Sequence, residues 1–290
     1  MCFREDGRGE PVVFVHGGFA SFARTVLDPE EHEWSEWERA FAANFHFITY
    51  DRRGCHPSSC PTAGYAIENQ ARDLAGLLDH LGLESAHVIG SSAGGPIALA
   101  FAAAVPTRAR SLILVGTGFD LFRPGAHDAE DVAVLTKQIA LLAERGAEAG
   151  FAQRPPGTEV WFEPLWMTRE ADERGELEEF RKRERTLAER AAKAPVPERV
   201  RYHAAELRNI QAYVECDGRR FAPIIEARTL VLHGEFDRAV PLESGEDLAA
   251  AIPGARLAVI RGASHGLLWR SQDARDLAIG FIRERRKSVS

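Results

Sequence analysis

The stretch Gly90-Ser91-Ser92-Ala93-Gly94 decides the fold of this chain because of the residues that flank it. The apolar run Ala86-His87-Val88-Ile89 precedes it, and residues 95–102 follow with a composition typical of a helix. This order predicts a strand, a tight turn and a helix. The pattern G-x-S-x-G in that context indicates a nucleophile elbow, a strained turn that lifts a serine hydroxyl out of the backbone. Both flanking glycines are expected to avoid collisions with a neighbouring strand and helix. By itself, the pattern also fits a helix start capped by serine.

Length, composition and charge exclude several classes of protein. A chain of 290 residues with 45% hydrophobic content can bury one large core, or a core with an insertion. The net charge of −7 is spread along the sequence, and no basic tract alternates with aromatic residues, so we expect no nucleic-acid partner. No apolar run is long enough to span a bilayer, and the first residues do not form a signal peptide. The sequence therefore predicts a cytoplasmic protein without membrane contact, and it leaves the oligomeric state open.

The four cysteines are predicted to be free thiols. Cys2, Cys55, Cys60 and Cys216 are too few and too unevenly placed to form a disulfide framework. Cys55 and Cys60 share a loop with His56, but their spacing matches no common zinc pattern. We therefore expect neither a metal site nor a cofactor.

Short apolar runs alternate with longer amphipathic ones along most of the chain. This alternation predicts an α/β fold, with a mostly parallel twisted sheet and helices on both of its faces. The apolar runs lack polar alternation, so their strands are expected to be buried on both faces. The predicted strands cover 11–15, 45–50, 86–89, 111–115, 228–232 and 256–260, and the predicted helices cover 33–43, 67–81, 96–104, 242–251 and 273–285.

The interval 119–222 interrupts this alternation. It predicts helices over 129–149, 171–194 and 198–216 with no convincing strand between them. A long helical insertion after a sheet strand is typical of a cap over the carboxyl ends of the strands, where open α/β sheets place their sites. We therefore predict a core of 1–118 and 223–290, with the helical cap 119–222 inserted in it.

A serine hydroxyl is a weak nucleophile unless a base and an orienting acid reach it. The sequence offers both downstream of the cap. Asp237 follows the predicted strand 228–232, and His265 follows the predicted strand 256–260. The chain order is thus serine, aspartate, histidine, with Asp120 as an alternative acid after the strand that precedes the cap.

These motifs together resemble the α/β-hydrolase superfamily, and in particular its capped serine hydrolases, which include esterases, lactonases and carbon–carbon bond hydrolases. The resemblance implies that Ser92 is the nucleophile, His265 the base and Asp237 the acid. It also implies that the backbone N–H groups of Gly18 and Ala93 form an oxyanion hole. It rests on Val15-His16-Gly17-Gly18, Tyr50-Asp51-Arg52-Arg53-Gly54, the pentapeptide, His233-Gly234-Glu235-Phe236-Asp237 and Ser264-His265-Gly266.

Two places depart from the family pattern. The loop after the second strand reads Gly54-Cys55-His56-Pro57-Ser58-Ser59 where glycine and then serine are usual, which changes a loop near the expected pocket, so the resemblance implies no particular substrate. The amino end is short, and Phe3-Arg4-Glu5 can supply one strand before Pro11, so the outermost strand of the family sheet is expected to be absent.

An aromatic cluster in the cap and one residue beside the oxyanion turn are candidate substrate contacts. Trp161, Phe162 and Trp166 belong to the first group, and Phe19 is the second. Packing of the cap on the core explains the cap aromatics equally well.

The resulting functional hypothesis is acyl transfer to water, with a small-molecule ester or lactone hydrolysed through an acyl-enzyme on Ser92. Carbon–carbon cleavage of a diketone-like substrate needs the same three residues and is the enzymatic alternative. A ligand-sensing protein with slow turnover, and oxygen or peroxide chemistry without a cofactor, also stay open.

Overall fold

The computed structural model describes residues 1–19, 34–55, 57–122, 129–154, 175 and 177–284. Its centre is a seven-stranded sheet. The strands are β1 (Phe3–Asp6), β2 (Pro11–Val15), β3 (His46–Tyr50), β4 (Ala86–Ser91), β5 (Ala109–Val115), β6 (Arg228–Gly234) and β7 (Arg256–Ile260). Their order in the sheet is β1-β3-β2-β4-β5-β6-β7. β1 pairs antiparallel with β3, and every other pairing is parallel. The α/β fold with a mostly parallel sheet is thereby confirmed.

Helices cover both faces of the sheet because the inner strands are apolar on both sides. Alternate residues of a strand point to opposite faces, so Val13 and Val15 enter one apolar cluster whereas Val12 and Phe14 enter another. The first cluster includes α2 (Ile67–His80), α3 (Gly94–Ala104) and α8 (Leu242–Ala251); the second includes α1 (Glu36–Ala42), α9 (Leu267–Arg270) and α10 (Gln272–Arg283).

Between β5 and β6 the described residues form helices. Leu135 and Leu142 pack against Leu207 and Ile210 in a separate apolar cluster, as a distinct layer requires. Tyr213 and Ala222, however, belong to the main cluster beside the sheet. The division at 118/119 and 222/223 thus stays a prediction. The helices are α4 (Ala129–Arg145), α5 (Ala147–Ala152), α6 (Leu177–Ala192) and α7 (Val196–Val214).

Two sequence-based expectations were wrong in detail. β7 is not buried on both faces, since Leu257 is 37% and Val259 38% exposed. β7 lies at the edge of the sheet, so only one neighbour covers it. The predicted helix 129–149 is divided at Gly146, whose φ of 87° ends one helix before the next begins.

Each described helix is too short or too polar to cross a membrane. The stretches 20–33 and 155–174 are outside the described residues, and the observation does not extend to them.

The buried His87 on β4 makes folding stability depend on pH. Its Nδ1 lies 2.7 Å from the hydroxyl oxygen of Ser111, and burial lowers the pKa of His87 to about 4, against the opposing charge of Glu10. Between about pH 6.5 and pH 4, His87 is therefore protonated in the unfolded chain but neutral in the folded chain. The free energy of unfolding consequently falls as the pH is lowered through this range.

We expect the free energy of unfolding of the wild type, taken relative to that of His87→Gln, to fall by on the order of 1 kcal/mol per pH unit as the pH is lowered from 6 to 5. Urea unfolding at several pH values measures it. Above pH 7.5 both states hold a neutral imidazole, so the two stability curves should run parallel there. Parallel curves down to pH 5 would contradict the buried, neutral state of His87.

Candidate active site

Ser92 occupies a strained turn between β4 and α3. Among the described residues it is the one non-glycine residue with positive φ, at 50°. Its N–H donates to the Val115 carbonyl at 2.9 Å, and its own carbonyl accepts from the Thr117 hydroxyl at 2.7 Å and from the Gly95 N–H at 2.9 Å. Strain of this kind persists only where the surroundings over-determine it, and it is concentrated at functional sites.

The glycines around Ser92 are there for steric reasons, as the sequence predicted. A Cβ on Gly94 would lie 2.0 Å from the Val15 carbonyl oxygen of β2. A Cβ on Gly90 would lie 2.7 Å from the Cβ of Ala98 on α3. The turn therefore brings helix and strands closer together than any side chain permits.

Asp237 and His265 are hydrogen-bonded to each other. The distance from His265 Nδ1 to Asp237 Oδ2 is 2.8 Å, and the Asp237 side chain is fully buried. The other carboxylate oxygen accepts from the N–H groups of Ala239 and Val240, each at 2.9 Å. Burial alone would raise the pKa of Asp237, but the charge and hydrogen bond of His265 hold it below its usual range. The carboxylate is thus ionised at neutral pH and turned toward the imidazole.

The alternative acid has a different environment. Asp120 Oδ1 accepts from the N–H of Phe122 at 3.0 Å, a local turn interaction two residues along the chain. His233 also lies behind Asp237, with its Nε2 3.6 Å from Asp237 Oδ2 and 2.8 Å from the Val240 carbonyl. The turn after β6 therefore holds Asp237 from several sides.

The end of β5 brings the serine and the histidine–aspartate pair together. Val115, its last residue, accepts from the Ser92 N–H. A Cβ on the next residue, Gly116, would lie 3.1 Å from Asp237 Oδ2 and 3.2 Å from His265 Nδ1. Ser92, Asp237 and His265 are far apart in sequence, and they hence lie together at the end of the sheet where the parallel strands have their carboxyl termini.

The loop after β2 lies against Ser92, as the predicted oxyanion role of Gly18 requires. A Cβ on Gly17 would lie 2.8 Å from the Cβ of Ser92. His16 Nδ1 is 2.7 Å from the Gly17 carbonyl, while its Nε2 accepts from the Arg52 N–H at 3.3 Å. Desolvation and the nearby charge of Arg52 lower the pKa of His16 to about 3, so the ring stays neutral. Because a trans peptide holds its C=O and N–H antiparallel, this contact turns the N–H of Gly18 the opposite way.

Arg52, which the sequence analysis quoted only as part of a motif, is a structural element of the site. It is 1% exposed, and its guanidinium donates to the Gly18 carbonyl and, at 2.6 Å, to the Tyr213 hydroxyl. Burial raises the pKa of Tyr213 to about 12, so this hydroxyl keeps its proton and donates it to the Ala93 carbonyl. Arg52 and Tyr213 thus connect the loop after β2, the turn at Ser92 and α7. The Asp-Arg-Arg-Gly motif after β3 was the available signal for Arg52; no local signal marked Tyr213.

The predicted substrate contacts are only partly described. The Phe19 ring lies 5.4 Å from Phe122 and 5.1 Å from Tyr213 between ring centroids, where it joins the cluster of α4 and α7. Trp161, Phe162 and Trp166 lie outside the described residues.

The predictions for the cysteines are also only partly covered by the described residues. All four cysteines are free thiols, as predicted. His56, which would complete the one metal site considered, lies outside the described residues.

Comparisons with known proteins agree with this fold. The family described as "alpha/beta hydrolase fold" matches residues 10–271. The chain is 29% identical to a 2-hydroxy-6-oxo-6-phenylhexa-2,4-dienoate hydrolase of Comamonas testosteroni, over 98% of this chain and 91% of that one. A thermophilic esterase from Thermogutta terrifontis superposes with a TM-score of 0.64 and 26% identity, over 97% and 92% of the two chains. Est816, an N-acyl homoserine lactone degrading enzyme, superposes with a TM-score of 0.66 and 25% identity, over 97% of this chain and 96% of that one.

Two buried tyrosines provide a test of the Arg52 network. Tyr213→Phe removes a buried hydroxyl donor from the Ala93 carbonyl and an acceptor from a buried charge, so it should lower the free energy of unfolding by about 1–3 kcal/mol. The Tyr50 hydroxyl is buried and has no hydrogen-bond partner among the described residues, so Tyr50→Phe should change stability little. Chemical denaturation of both variants measures the difference, and equal losses would contradict the network.

Proposed function

Because the chain belongs to the α/β-hydrolase fold family, we propose that it is a serine hydrolase that cleaves a small-molecule carboxylic ester or lactone through an acyl-enzyme on Ser92. The single observation that carries this proposal is the buried His265–Asp237 hydrogen bond beside the strained Ser92. A nucleophile, a base and an orienting acid are the three groups that such chemistry needs.

In the proposed acylation step, His265 accepts the Ser92 proton while the serine oxygen attacks the substrate carbonyl carbon. Asp237 holds the imidazole in the tautomer that accepts at Nε2, and it stabilises the imidazolium that forms. The imidazolium then gives its proton to the leaving alkoxide as the carbon–oxygen bond breaks, which leaves an acyl-enzyme.

The negative charge on the tetrahedral intermediate needs preorganised donors. The backbone N–H groups of Gly18 and Ala93 serve this role in the proposal, supported by the contact of Gly17 with Ser92 and by the bonds to the Gly17 and Ser92 carbonyls. One such donor contributes about 3 kcal/mol to the lowering of the barrier. In deacylation, His265 removes a proton from water while the water oxygen attacks the acyl carbon. The imidazolium then gives this proton to the Ser92 oxygen as the acyl–oxygen bond breaks, which releases the acid and restores Ser92 and neutral His265.

The esterase and the lactone-degrading enzyme among the similar structures support the ester or lactone class. Carbon–carbon cleavage of a vinylogous diketone acid is the second candidate, favoured by the relative from Comamonas testosteroni. Purified protein should be assayed with 4-nitrophenyl esters, N-acyl homoserine lactones and a 2-hydroxy-6-oxo-dienoate. A kcat/KM for the dienoate far above that of every ester and lactone would replace the first candidate by the second.

The helices between β5 and β6 are proposed to form the cap over this site, with 119–222 as its extent. Phe19 and Phe122 would then meet substrate where the oxyanion loop contacts this cap. Trp161, Phe162 and Trp166 are proposed as further contacts from the cap.

Replacement of the nucleophile is the first test. Ser92→Ala should lower kcat at least about 10³-fold and abolish labelling by a fluorophosphonate, since it removes only the attacking oxygen. Ser91→Ala is the matched control, because the adjacent serine is buried at the end of β4 and should keep both activity and labelling. Mass spectrometry of the labelled peptide identifies the modified residue, and a label on Ser91 would overturn the assignment.

The choice of acid is the second test. Asp237→Asn should lower kcat by about 10³–10⁴-fold because the imidazole loses its orientation and its charge partner. Asp120→Asn, in which the bond to Phe122 can be kept by the amide oxygen, should retain kcat within about threefold. Steady-state kinetics on the best ester decides, and the reverse ranking would assign the acid to Asp120.

A further inference from the structure

We propose that Thr117 is a positioning residue for the oxyanion hole, an inference that rests on the serine hydrolase function proposed above. Thr117 follows β5 and is fully buried. Its hydroxyl donates to the Ser92 carbonyl at 2.7 Å, so the residue acts on the elbow from the neighbouring strand rather than on the substrate.

The geometry of the peptide bond explains how this contact reaches the reaction. The Ser92 carbonyl and the Ala93 N–H belong to the same peptide unit, and in a trans peptide they point in opposite directions. A hydroxyl that holds the carbonyl on one side therefore holds the N–H on the other. The Gly95 N–H also binds this carbonyl, at 2.9 Å, but it belongs to the same turn and moves with it. Thr117 lies outside the turn, so its hydroxyl can hold the peptide between Ser92 and Ala93 in place relative to the sheet, as a preorganised N–H donor requires.

The strained conformation of Ser92 needs hydrogen bonds from outside the turn to hold it. A φ of 50° at a residue with a side chain costs about 1–3 kcal/mol, so the turn tends to relax. Residues 115–117 hold Ser92 at both of its backbone polar groups, with Val115 accepting from the N–H and Thr117 donating to the carbonyl. Loss of the second bond leaves the Ser92 carbonyl with the Gly95 N–H of its own turn, so the peptide that carries the Ala93 N–H can shift together with that turn.

Packing around Thr117 allows a clean substitution. A Cβ on Gly95 would lie 2.2 Å from the Thr117 hydroxyl oxygen and 2.5 Å from its methyl carbon, so the side chain fills its space. Valine has nearly the same shape and lacks the hydroxyl. The Ser92 carbonyl keeps its bond from Gly95 in Thr117→Val, so no buried acceptor is left unpaired.

Thr229 offers a matched control. It is 1% exposed on β6, and its hydroxyl donates to the Ala227 carbonyl at 2.9 Å. Thr229→Val therefore removes the same group from the same kind of environment at the opposite end of the sheet from the site. Thr117→Ser restores the hydroxyl and should recover activity to within about threefold of the wild type.

The experiment compares 4-nitrophenyl butyrate with its thiono analogue, whose tetrahedral intermediate carries the charge on sulfur and gains little from N–H donors. Thr117→Val should lower kcat/KM for the oxo ester by about 10- to 100-fold, below the loss of a complete oxyanion donor. For the thiono ester the loss should stay under about threefold. Thr229→Val should leave both substrates within about twofold of the wild type.

Equal losses on both esters, or no loss with either, would overturn the role of Thr117. If Thr117→Val cannot be purified folded, Thr117→Ala removes the same hydroxyl without added bulk, and the same ratio of oxo to thiono activity is measured. Ester turnover by the wild type that persists in Ser92→Ala would instead refute the proposed function itself.

Discussion

The sharp turn at Ser92 is the constraint on which the rest of the molecule depends. A residue with a side chain is held at φ 50° where β4 becomes α3. The turn fits only because Gly94 and Gly90 lack a Cβ, which would collide with the Val15 carbonyl of β2 and with Ala98 of α3. The neighbouring strands must consequently lie in register with the elbow, and the ends of β2 and β5 supply the contacts that hold it.

Arg52 adds an electrostatic tie to this steric one. Burial of a charge is costly unless hydrogen bonds compensate it, so the guanidinium holds the groups that accept from its two terminal nitrogens. Through the Gly18 carbonyl it holds the loop after β2, and through Tyr213 it reaches the Ala93 carbonyl and α7. These bonds connect α7 to Gly18 and Ala93, the two residues whose N–H groups are the proposed oxyanion donors. Phe19 strengthens the same link with an apolar contact.

Local sequence patterns were sufficient to predict those structural features that depend on neighbours along the chain. The apolar runs predicted β2 and β7 with their observed bounds, and the glycine pattern predicted the elbow. They were insufficient where burial depends on position in the sheet. β7 reads like an inner strand, but its place at the edge exposes Leu257 and Val259.

The sequence by itself determined the α/β class, the elbow and the order of serine, aspartate and histidine, because each is written in contiguous residues and their spacing. Only the tertiary structure decided which groups meet. Asp237 pairs with His265 across 28 residues, and Tyr213 reaches Ala93 across 120. Such contacts are made by strand order and helix packing, which bring together polar side chains that carry no local mark of their partners. Thr117 looks like any residue after a strand until the fold places its hydroxyl on the Ser92 carbonyl.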